Sequence, residues 1–284
     1  MKRVLLTGAS GLLGSNICYV LKNKFALTAV FHQNFIKSSG FDVFKLDITK
    51  EEECKKFIEK FNPDIIIHCA AVTDLDLCES NKRYAFDVNT GGTKNLLKFV
   101  DKHTHFIFIS TDNVYGGKNK FSDENTKLNP LNVYAESKKK AEHIVFNSGL
   151  NYSILRTTIF GWHRYRIDSS LLSFIYQNLK SGKKVNLFED VFFTPISIPL
   201  FIEVIDSIIR NKTFGLFNVC GRERMSKLEF GFLVAEVFKL DRGLINSISI
   251  TTDLVFCPLN WASSCSTMIL AAAFVFCLMV VNEG

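Results

Sequence analysis

The 284-residue sequence predicts an α/β fold with a doubly wound parallel sheet and a smaller C-terminal lobe. Short apolar strands alternate with helical periodicity up to about residue 160. A glycine-rich turn separates the first strand from the first helix. The strand at 64–69 is continuous in isoleucine, as expected for a strand buried on both faces. Together these three observations predict a Rossmann-type sheet.

The composition indicates a folded globular protein. Hydrophobic residues make up 47% of the chain and charged residues 22%, which is typical of globular domains. The net charge of +6 is mild, and no basic stripe is interleaved with aromatic residues. We therefore expect no nucleic-acid partner, whereas an anionic small ligand fits the charge.

The eight cysteines form no C-x-x-C pair, so we expect buried free thiols in a reducing cytosol, with no disulfide framework and no metal site. The N-terminus lacks the apolar length of a signal peptide. These features predict a cytoplasmic protein.

The first strand, at 3–7, runs into a G-x-x-G-x-x-G turn at 8–14 and then into helical spacing of apolar residues. Backbone without side chains can approach a pyrophosphate, and a helix N-terminus presents N–H groups to it. The turn therefore predicts a dinucleotide site, the alternative being a glycine turn without a ligand.

The second strand, at 27–31, ends in His32, Gln33 and Asn34, without the acidic residue that grips the ribose of NAD. This favours NADPH over NADH, but no arginine stands there to bind the 2′-phosphate, so both cofactors remain open. The third strand, at 43–46, ends at Asp47, which either binds adenine or shapes the turn. We expect Thr49 to cap the helix that begins at Lys50.

The fourth strand ends in small residues that let a ligand come close. A long helix is predicted at 82–101, with Asn89 either hydrogen-bonded or exposed and with Gly91-Gly92 packed closely against another element. The fifth strand, at 106–109, ends at Ser110-Thr111. On the next helix Tyr134 and Lys138 share a face, which alone is common on solvated helix surfaces.

Beyond residue 160 we predict helices at 171–179, 200–209 and 227–238 and a strand at 216–219. The predicted domains are a cofactor-binding domain at 1–160, a substrate-binding lobe at 161–250 that interleaves with it, and an atypical apolar tail at 251–284. The apolar run at 268–281 has 14 residues, fewer than the roughly 20 of a membrane helix. We interpret the tail as a replaced C-terminus, with a membrane-associating segment as the alternative.

Five segments together resemble the extended short-chain dehydrogenase/reductases, and most closely the dTDP-4-dehydrorhamnose reductase family. The resemblance covers residues 1 to about 245 but not the tail. The segments are Thr7 to Gly14, Asp64 to Ala71, Ile109 to Tyr115, Pro130 to Lys138, and Leu155 to Thr157.

The resemblance implies NAD(P)H-dependent reduction of a 4-keto group on a nucleotide-diphospho sugar. Tyr134 would protonate the carbonyl oxygen, Lys138 would lower the pKa of Tyr134 and bind the nicotinamide ribose, and Thr111 would hydrogen-bond the carbonyl. Asn89 would support the active-site helix. The implied cofactor-binding residues are Gly8, Ser10, Gly11, Leu12, Leu13, Gly14, His32, Asp47, Ile48, Cys69, Ala70, Ala71, Asn89, Tyr134 and Lys138.

Two other functions stay open within the resemblance. One is a nucleotide-sugar epimerase or dehydratase, although Asn113 after Asp112 disfavours a dehydratase. The other is a non-catalytic, cofactor-binding regulatory subunit resembling the methionine adenosyltransferase beta subunit. The oligomeric state is also open, and a homodimer is one candidate.

Overall fold

A computed structural model describes residues 1–38, 40–117, 122–166 and 170–250. Its centre is a seven-stranded parallel sheet in the order β11-β6-β5-β4-β1-β2-β3. The strands are β1 (Arg3–Thr7), β2 (Ala26–Phe31), β3 (Asp42–Lys45), β4 (Ile65–His68), β5 (His105–Thr111), β6 (Asn151–Thr157), β7 (Ile159–Phe160), β8 (Val185–Phe188), β9 (Phe192–Phe193), β10 (Ile196–Ser197), β11 (Gly215–Asn218), β12 (Met225–Ser226) and β13 (Ile245–Ile248).

Helices cover both faces of this sheet. The helices are α1 (Leu12–Leu21), α2 (Glu51–Phe61), α3 (Leu75–Ser80), α4 (Lys82–Phe86), a π-helix (Asp87–Gly92), α5 (Thr93–Leu97), a 3₁₀ turn (Asp112–Tyr115), α6 (Val133–Phe146), α7 (Leu171–Lys180), α8 (Ile198–Asn211), α9 (Lys227–Val237) and a second 3₁₀ turn (Arg242–Leu244). The prediction of a doubly wound α/β fold is therefore confirmed.

The strand residues alternate between two cores, as the period of two demands. In β1, Val4 and Leu6 pack with α1 and α8 on one face, while Leu5 packs with α2 and α6 on the other. All three side chains are fully buried. This explains why the central strands read as continuous apolar runs instead of alternating patterns.

The structure corrects three local predictions. The helix expected at 82–101 ends at Leu97 and includes a π-helical turn. Thr49 does not cap α2: its hydroxyl donates to Asp47, and the cap residue is Lys50, without a side-chain hydrogen bond. The strand predicted at 216–219 is present as β11, but it does not belong to the lobe: it extends the central sheet by pairing in parallel with β6.

Close packing at the paired glycines is confirmed for one of them. A Cβ on Gly92 would lie 2.5 Å from Ile48 Cδ1, whereas a Cβ on Gly91 would meet nothing nearer than 3.7 Å. Gly92 therefore lets the helix approach the end of the third strand.

The remaining elements form a small lobe around α7 and α9. Short strand pairs join β12 to β9 and β13 to β8, and a third apolar cluster centred on Phe160, Phe193 and Phe230 fills the lobe. This lobe supplies one wall of the region beyond the carboxyl ends of β5 and β6.

Cys18, Cys54 and Cys78 are buried free thiols, as expected. Cys69 is only half-buried, and Cys220 is exposed, which corrects the expectation for these two. The other three cysteines and the predicted apolar tail lie outside the described residues. Within the described ranges, no helix is long and apolar enough to cross a membrane.

Candidate active site

The glycine turn after β1 has a conformation that glycine alone accommodates at two positions. Gly8 has a φ of +71°, and a Cβ there would lie 2.6 Å from the backbone nitrogen of Ala70. A Cβ on Gly14 would lie 2.2 Å from the carbonyl oxygen of Gly8. The turn therefore packs directly against the end of β4 and delivers the N-terminus of α1, which begins at Leu12, to this edge of the sheet.

A cavity of about 230 Å³ opens beside this turn, at the carboxyl ends of the central strands. Its walls come from the glycine turn, from the residues after β2, β3 and β4, and from Arg166 in the loop after β7. An elongated ligand with phosphates fits here, since the walls combine close backbone approach with a helix N-terminus.

The predicted cofactor residues divide into three groups around this cavity. Those that line it are Gly8, Ser10, Gly11, His32, Asp47, Ile48, Cys69, Ala70 and Ala71. Leu13 and Gly14 are buried in α1 beneath the turn, next to Leu12. Asn89, Tyr134 and Lys138 lie on the neighbouring helices and do not line it.

Asp47 is held as an ionised, structured residue at the cavity wall. Its carboxylate accepts hydrogen bonds from the backbone and hydroxyl of Thr49, at 2.9 and 2.7 Å, and lies 3.6 Å from His32 Nε2. Burial opposes ionisation, but the Thr49 bonds and His32 lower the pKa of Asp47 below its ordinary value. Asp47 therefore both shapes the turn and faces the cavity.

A buried histidine ties β4 to β1 and to the helix beyond. His68 Nδ1 lies 2.6 Å from the Thr7 hydroxyl, and Nε2 lies 3.0 Å from the Thr93 hydroxyl. Thr93 donates its own hydrogen to the carbonyl of Asn89, so it accepts from Nε2–H of His68. Burial lowers the pKa of His68 to about 3, which keeps the imidazole neutral.

Asn89 lies inside the π-helical turn and is 1% exposed. Its oxygen accepts from the Val72 backbone N–H at 2.7 Å, and its amide nitrogen donates to the Val72 carbonyl and the Ser137 hydroxyl, at 3.0 and 2.9 Å. Asn89 therefore links the loop after β4 to α6. The sequence left open whether Asn89 is hydrogen-bonded or exposed, and the structure shows that it is hydrogen-bonded.

Thr111 ends β5 and is almost fully buried. Its hydroxyl oxygen accepts from the backbone N–H and the side-chain amide of Asn113, at 3.2 and 3.0 Å. Both acceptor positions of the oxygen are thereby filled. The Thr111 hydroxyl makes a long 3.3 Å contact with Asp112 Oδ1 and also lies within hydrogen-bonding reach of Tyr134. A stronger acceptor such as a carbonyl oxygen can therefore take its hydrogen.

Tyr134 lies in the first turn of α6, and Thr111 is close enough for hydrogen bonding to affect its titration. Burial raises the pKa of Tyr134 above its ordinary value, and the Thr111 hydrogen bond only partly offsets this. The expectation that Lys138 lowers the pKa of Tyr134 is therefore wrong for the protein alone, because desolvation of the phenolate dominates.

Lys138 follows one turn later on α6 and is 2% exposed. Its ammonium donates to the carbonyl of Ile109 at 2.7 Å and lies 4.0 Å above the Phe108 ring. Burial lowers the pKa of Lys138 to about 8, with Glu142 opposing the shift. The lysine is thus anchored to β5, two residues before Thr111.

Asp112 adds a carboxyl group that the sequence does not single out as a site residue. It is 7% exposed, and its Oδ2 has no hydrogen-bond partner among the described residues. Burial raises the pKa of Asp112 to about 6, against the opposing charge of Lys227 from the lobe. Asp112 therefore places a buried carboxyl group next to Thr111 and within the field of a lysine from the lobe.

A buried ion pair supports the site from behind. Arg156 Nη2 donates to Glu142 Oε2 at 2.7 Å and Arg156 Nε to Glu142 Oε1 at 3.0 Å. Ser110 also donates to Glu142 at 2.5 Å, and Arg156 Nη1 donates to the Tyr115 hydroxyl at 2.7 Å. The pair thus joins β5, β6 and α6, the three elements that carry or flank the predicted catalytic residues.

A second, larger and more apolar cavity of about 450 Å³ lies between α8 and the end of β11. Phe160, Asn218 and residues 195–197 line it. Thr111, Tyr134 and Lys138 do not line it.

Sequence reasoning misses the Glu142–Arg156 pair, Asp112, Lys227 and the cavity-facing position of Arg166. The Arg156 motif was noted, but nothing in the spacing indicates its partner, which lies 14 residues away on another element. Nor does the sequence indicate that Arg166 reaches the cavity, because the residue follows β7, far along the chain from the glycine turn.

Comparison with known proteins gives one family match. The family model described as "RmlD substrate binding domain" matches residues 1–256. The probable low-salt glycan biosynthesis reductase Agl14 of Haloferax volcanii is 31% identical over 257 residues, covering 88% of this chain and 84% of the relative. Methionine adenosyltransferase 2 subunit beta of Danio rerio is 26% identical over 250 residues, covering 84% of this chain and 75% of that protein.

A solved structure gives a similar result for the fold. The hypothetical dTDP-4-dehydrorhamnose reductase from Sulfolobus tokodaii superposes with a TM-score of 0.80 at 28% identity, covering 91% of this chain and 90% of that one.

Proposed function

The chain belongs to the RmlD substrate binding domain family, and from this premise we propose that it is an NAD(P)H-dependent reductase of a 4-keto group on a nucleotide-diphospho sugar. The observation that carries the proposal is the meeting of Thr111, Tyr134 and Lys138 at the carboxyl end of β5. They lie on the elements next to the cavity that the glycine turn opens.

A nicotinamide dinucleotide fits that cavity because Gly8 and Gly11 line it with backbone that carries no side chain, and the N-terminus of α1 would face a phosphate. The residues that would hold it are those after β1 to β4, with Lys138 at the nicotinamide ribose. When bound, the cofactor supplies the hydride. All remaining chemistry falls to the side chains of this chain.

Tyr134 is the group that gives a proton to the carbonyl oxygen. Its raised pKa keeps the phenol protonated until the oxygen develops negative charge. Thr111 directs its hydrogen to the same oxygen, because Asn113 occupies both of its acceptor positions. The two hydroxyls together orient the carbonyl and stabilise the charge on it.

Lys138, one helical turn after Tyr134, is the group that binds the nicotinamide ribose. One of its three hydrogens is committed to the Ile109 carbonyl, which leaves two for ribose hydroxyls. Since the ammonium is almost completely buried, its field acts through a low-dielectric region and is stronger than on a surface.

The proposal is tested by following oxidation of NADPH or NADH with dTDP-4-dehydrorhamnose. We expect turnover in the wild type and a loss of about 10²–10⁴-fold in kcat for Tyr134→Phe, with the cofactor Kd unchanged. Tyr152→Phe is the matched control, since Tyr152 lies near the opposite, amino-terminal end of β6. Cofactor binding without any turnover would refute the reductase assignment.

A regulatory subunit is the second candidate, favoured by the likeness to methionine adenosyltransferase 2 subunit beta. A protein of this kind would bind the cofactor, show no turnover, and form a complex with an adenosyltransferase catalytic chain in a pull-down. An epimerase differs from both, because it would interconvert sugars without net consumption of reduced cofactor.

A further inference from the structure

One wall of the dinucleotide cavity comes from a distant part of the sequence. Arg166 follows β7 in the chain, yet its side chain lines the same cavity as Ser10, His32, Gln33 and Asn34. Its Nη2 lies 3.4 Å from the carbonyl oxygen of Ser10, at the outer lip of the glycine turn. A guanidinium is thus present at the cofactor cavity, although none stands in the sequence after β2.

His163 holds this loop against the turn. Its Nδ1 accepts hydrogen bonds from the backbone N–H groups of Tyr165 and Arg166, at 3.0 and 3.2 Å, so Nδ1 carries no proton. In the neutral ring Nε2 therefore carries the hydrogen and donates to Ser10 O at 3.0 Å. Burial lowers the pKa of His163, and the nearby Arg166 lowers it further, which favours this neutral form.

Because of the tautomer of His163, the Arg166 guanidinium makes only weak hydrogen bonds among the described residues. Nε and Nη2 of Arg166 lie 3.3 Å from His163 Nε2, but that nitrogen is a donor here and cannot accept from them. The remaining contact, to Ser10 O, is long. Among the described residues, Arg166 has no carboxylate partner within 4 Å, so its donors are free to meet an anion.

The charges on the cavity wall point to one anion in particular. The side chains after β2 carry no carboxylate that would repel a 2′-phosphate. Asp47, the acid on this wall, is satisfied by Thr49 and lies near His32. The pyrophosphate already has its donors in the turn and the N-terminus of α1, whereas a 2′-phosphate needs a cation.

We propose that Arg166 binds the 2′-phosphate of NADPH and makes the protein prefer NADPH to NADH. This deepens the proposed reductase by assigning its cofactor preference to a residue outside the usual position after β2. His163 acts as a positioning residue, since it fixes the loop from which Arg166 reaches the cavity.

The test is direct titration of the full chain with NADPH and, separately, with NADH in a calorimeter. Arg166→Gln removes the charge, and we expect it to weaken NADPH binding by about 10- to 100-fold while leaving the Kd for NADH unchanged. Arg164→Gln is the matched control, because that guanidinium stacks on Tyr19 at 3.7 Å and does not line the cavity.

Two results would overturn the proposal. If Arg166→Gln weakens the binding of NADPH and NADH equally, Arg166 contacts the pyrophosphate that both cofactors share. If the Kd for NADPH is unchanged, Arg166 contacts no part of the cofactor. Unchanged NADH binding also reports that the variant is folded. No sugar is present in the titration, so failure of the reductase assignment cannot be mistaken for failure of this one.

Discussion

The buried pair between Glu142 and Arg156 offers a sharp test of how the site is supported. Both residues are 4% exposed, and three hydrogen bonds of 2.7 to 3.2 Å join their side chains. Glu142→Gln keeps the shape but removes the charge, which leaves a buried guanidinium uncompensated between β5, β6 and α6.

The expected loss follows from what remains after the substitution. Removing one partner of a buried pair costs about 3–5 kcal/mol of the free energy of unfolding. Since glutamine can still accept one hydrogen bond from Arg156, we expect the lower end, about 3 kcal/mol. Glu136→Gln is the matched control on the same helix: its partner Lys140 lies 3.4 Å away and both are exposed, so we expect a loss of about 0.5 kcal/mol or less.

Urea unfolding followed by far-ultraviolet circular dichroism measures both variants. A Glu142→Gln loss no larger than that of Glu136→Gln would refute the reasoning, because it would mean that water reaches Arg156. The double variant Glu142→Leu/Arg156→Met separates charge from packing. We expect it to recover most of the lost stability, since no unpaired charge remains.

Two further predictions concern the turn and pH. Gly14→Ala should weaken cofactor binding and lower the free energy of unfolding by about 1–3 kcal/mol, because its Cβ would meet the Gly8 carbonyl. Gly91→Ala is the control, since its Cβ would make only an ordinary contact at 3.7 Å, and we expect neither loss. Equilibrium unfolding and calorimetry measure both variants. Because burial lowers the pKa of His68 to about 3, below the ordinary 6.5, only the unfolded chain gains this proton between those values. The free energy of unfolding should thus fall by about 1.4 kcal/mol per pH unit on acidification below about 6.5; an equal slope in His68→Gln would contradict this.

The sequence predicts the first five sheet strands well because each carries enough local information. Buried parallel strands are short apolar runs, and the glycine turn is required by backbone contacts that no other residue tolerates. The boundaries at 3–7 agree with β1 exactly, and the other strands differ by a few residues. The prediction of one regular helix at 82–101 is wrong, since helical periodicity does not indicate a π-helical turn.

The features of the candidate site also divide into those that could be predicted from the sequence and those that could not. The resemblance to a known family names Thr111, Tyr134 and Lys138, and the structure places them at the end of β5 and the start of α6. The direction of the Tyr134 pKa shift cannot be predicted from the sequence, because it depends on how completely the phenol is desolvated in the fold. The partner of Thr49 is also not predictable, because Asp47 and the helix N-terminus are local partners of similar strength; in the structure Thr49 donates to Asp47.

The sequence by itself determined the class of fold and the glycine turn, and its resemblance to a known family named Thr111, Tyr134 and Lys138 as candidate catalytic residues. Only the tertiary structure decided which distant groups face each other: Arg156 with Glu142, Asp112 with Lys227, and Arg166 with the cofactor cavity. The physical reason is that periodicity and turn chemistry are local, whereas burial and charge pairing arise when elements far apart in the chain pack together.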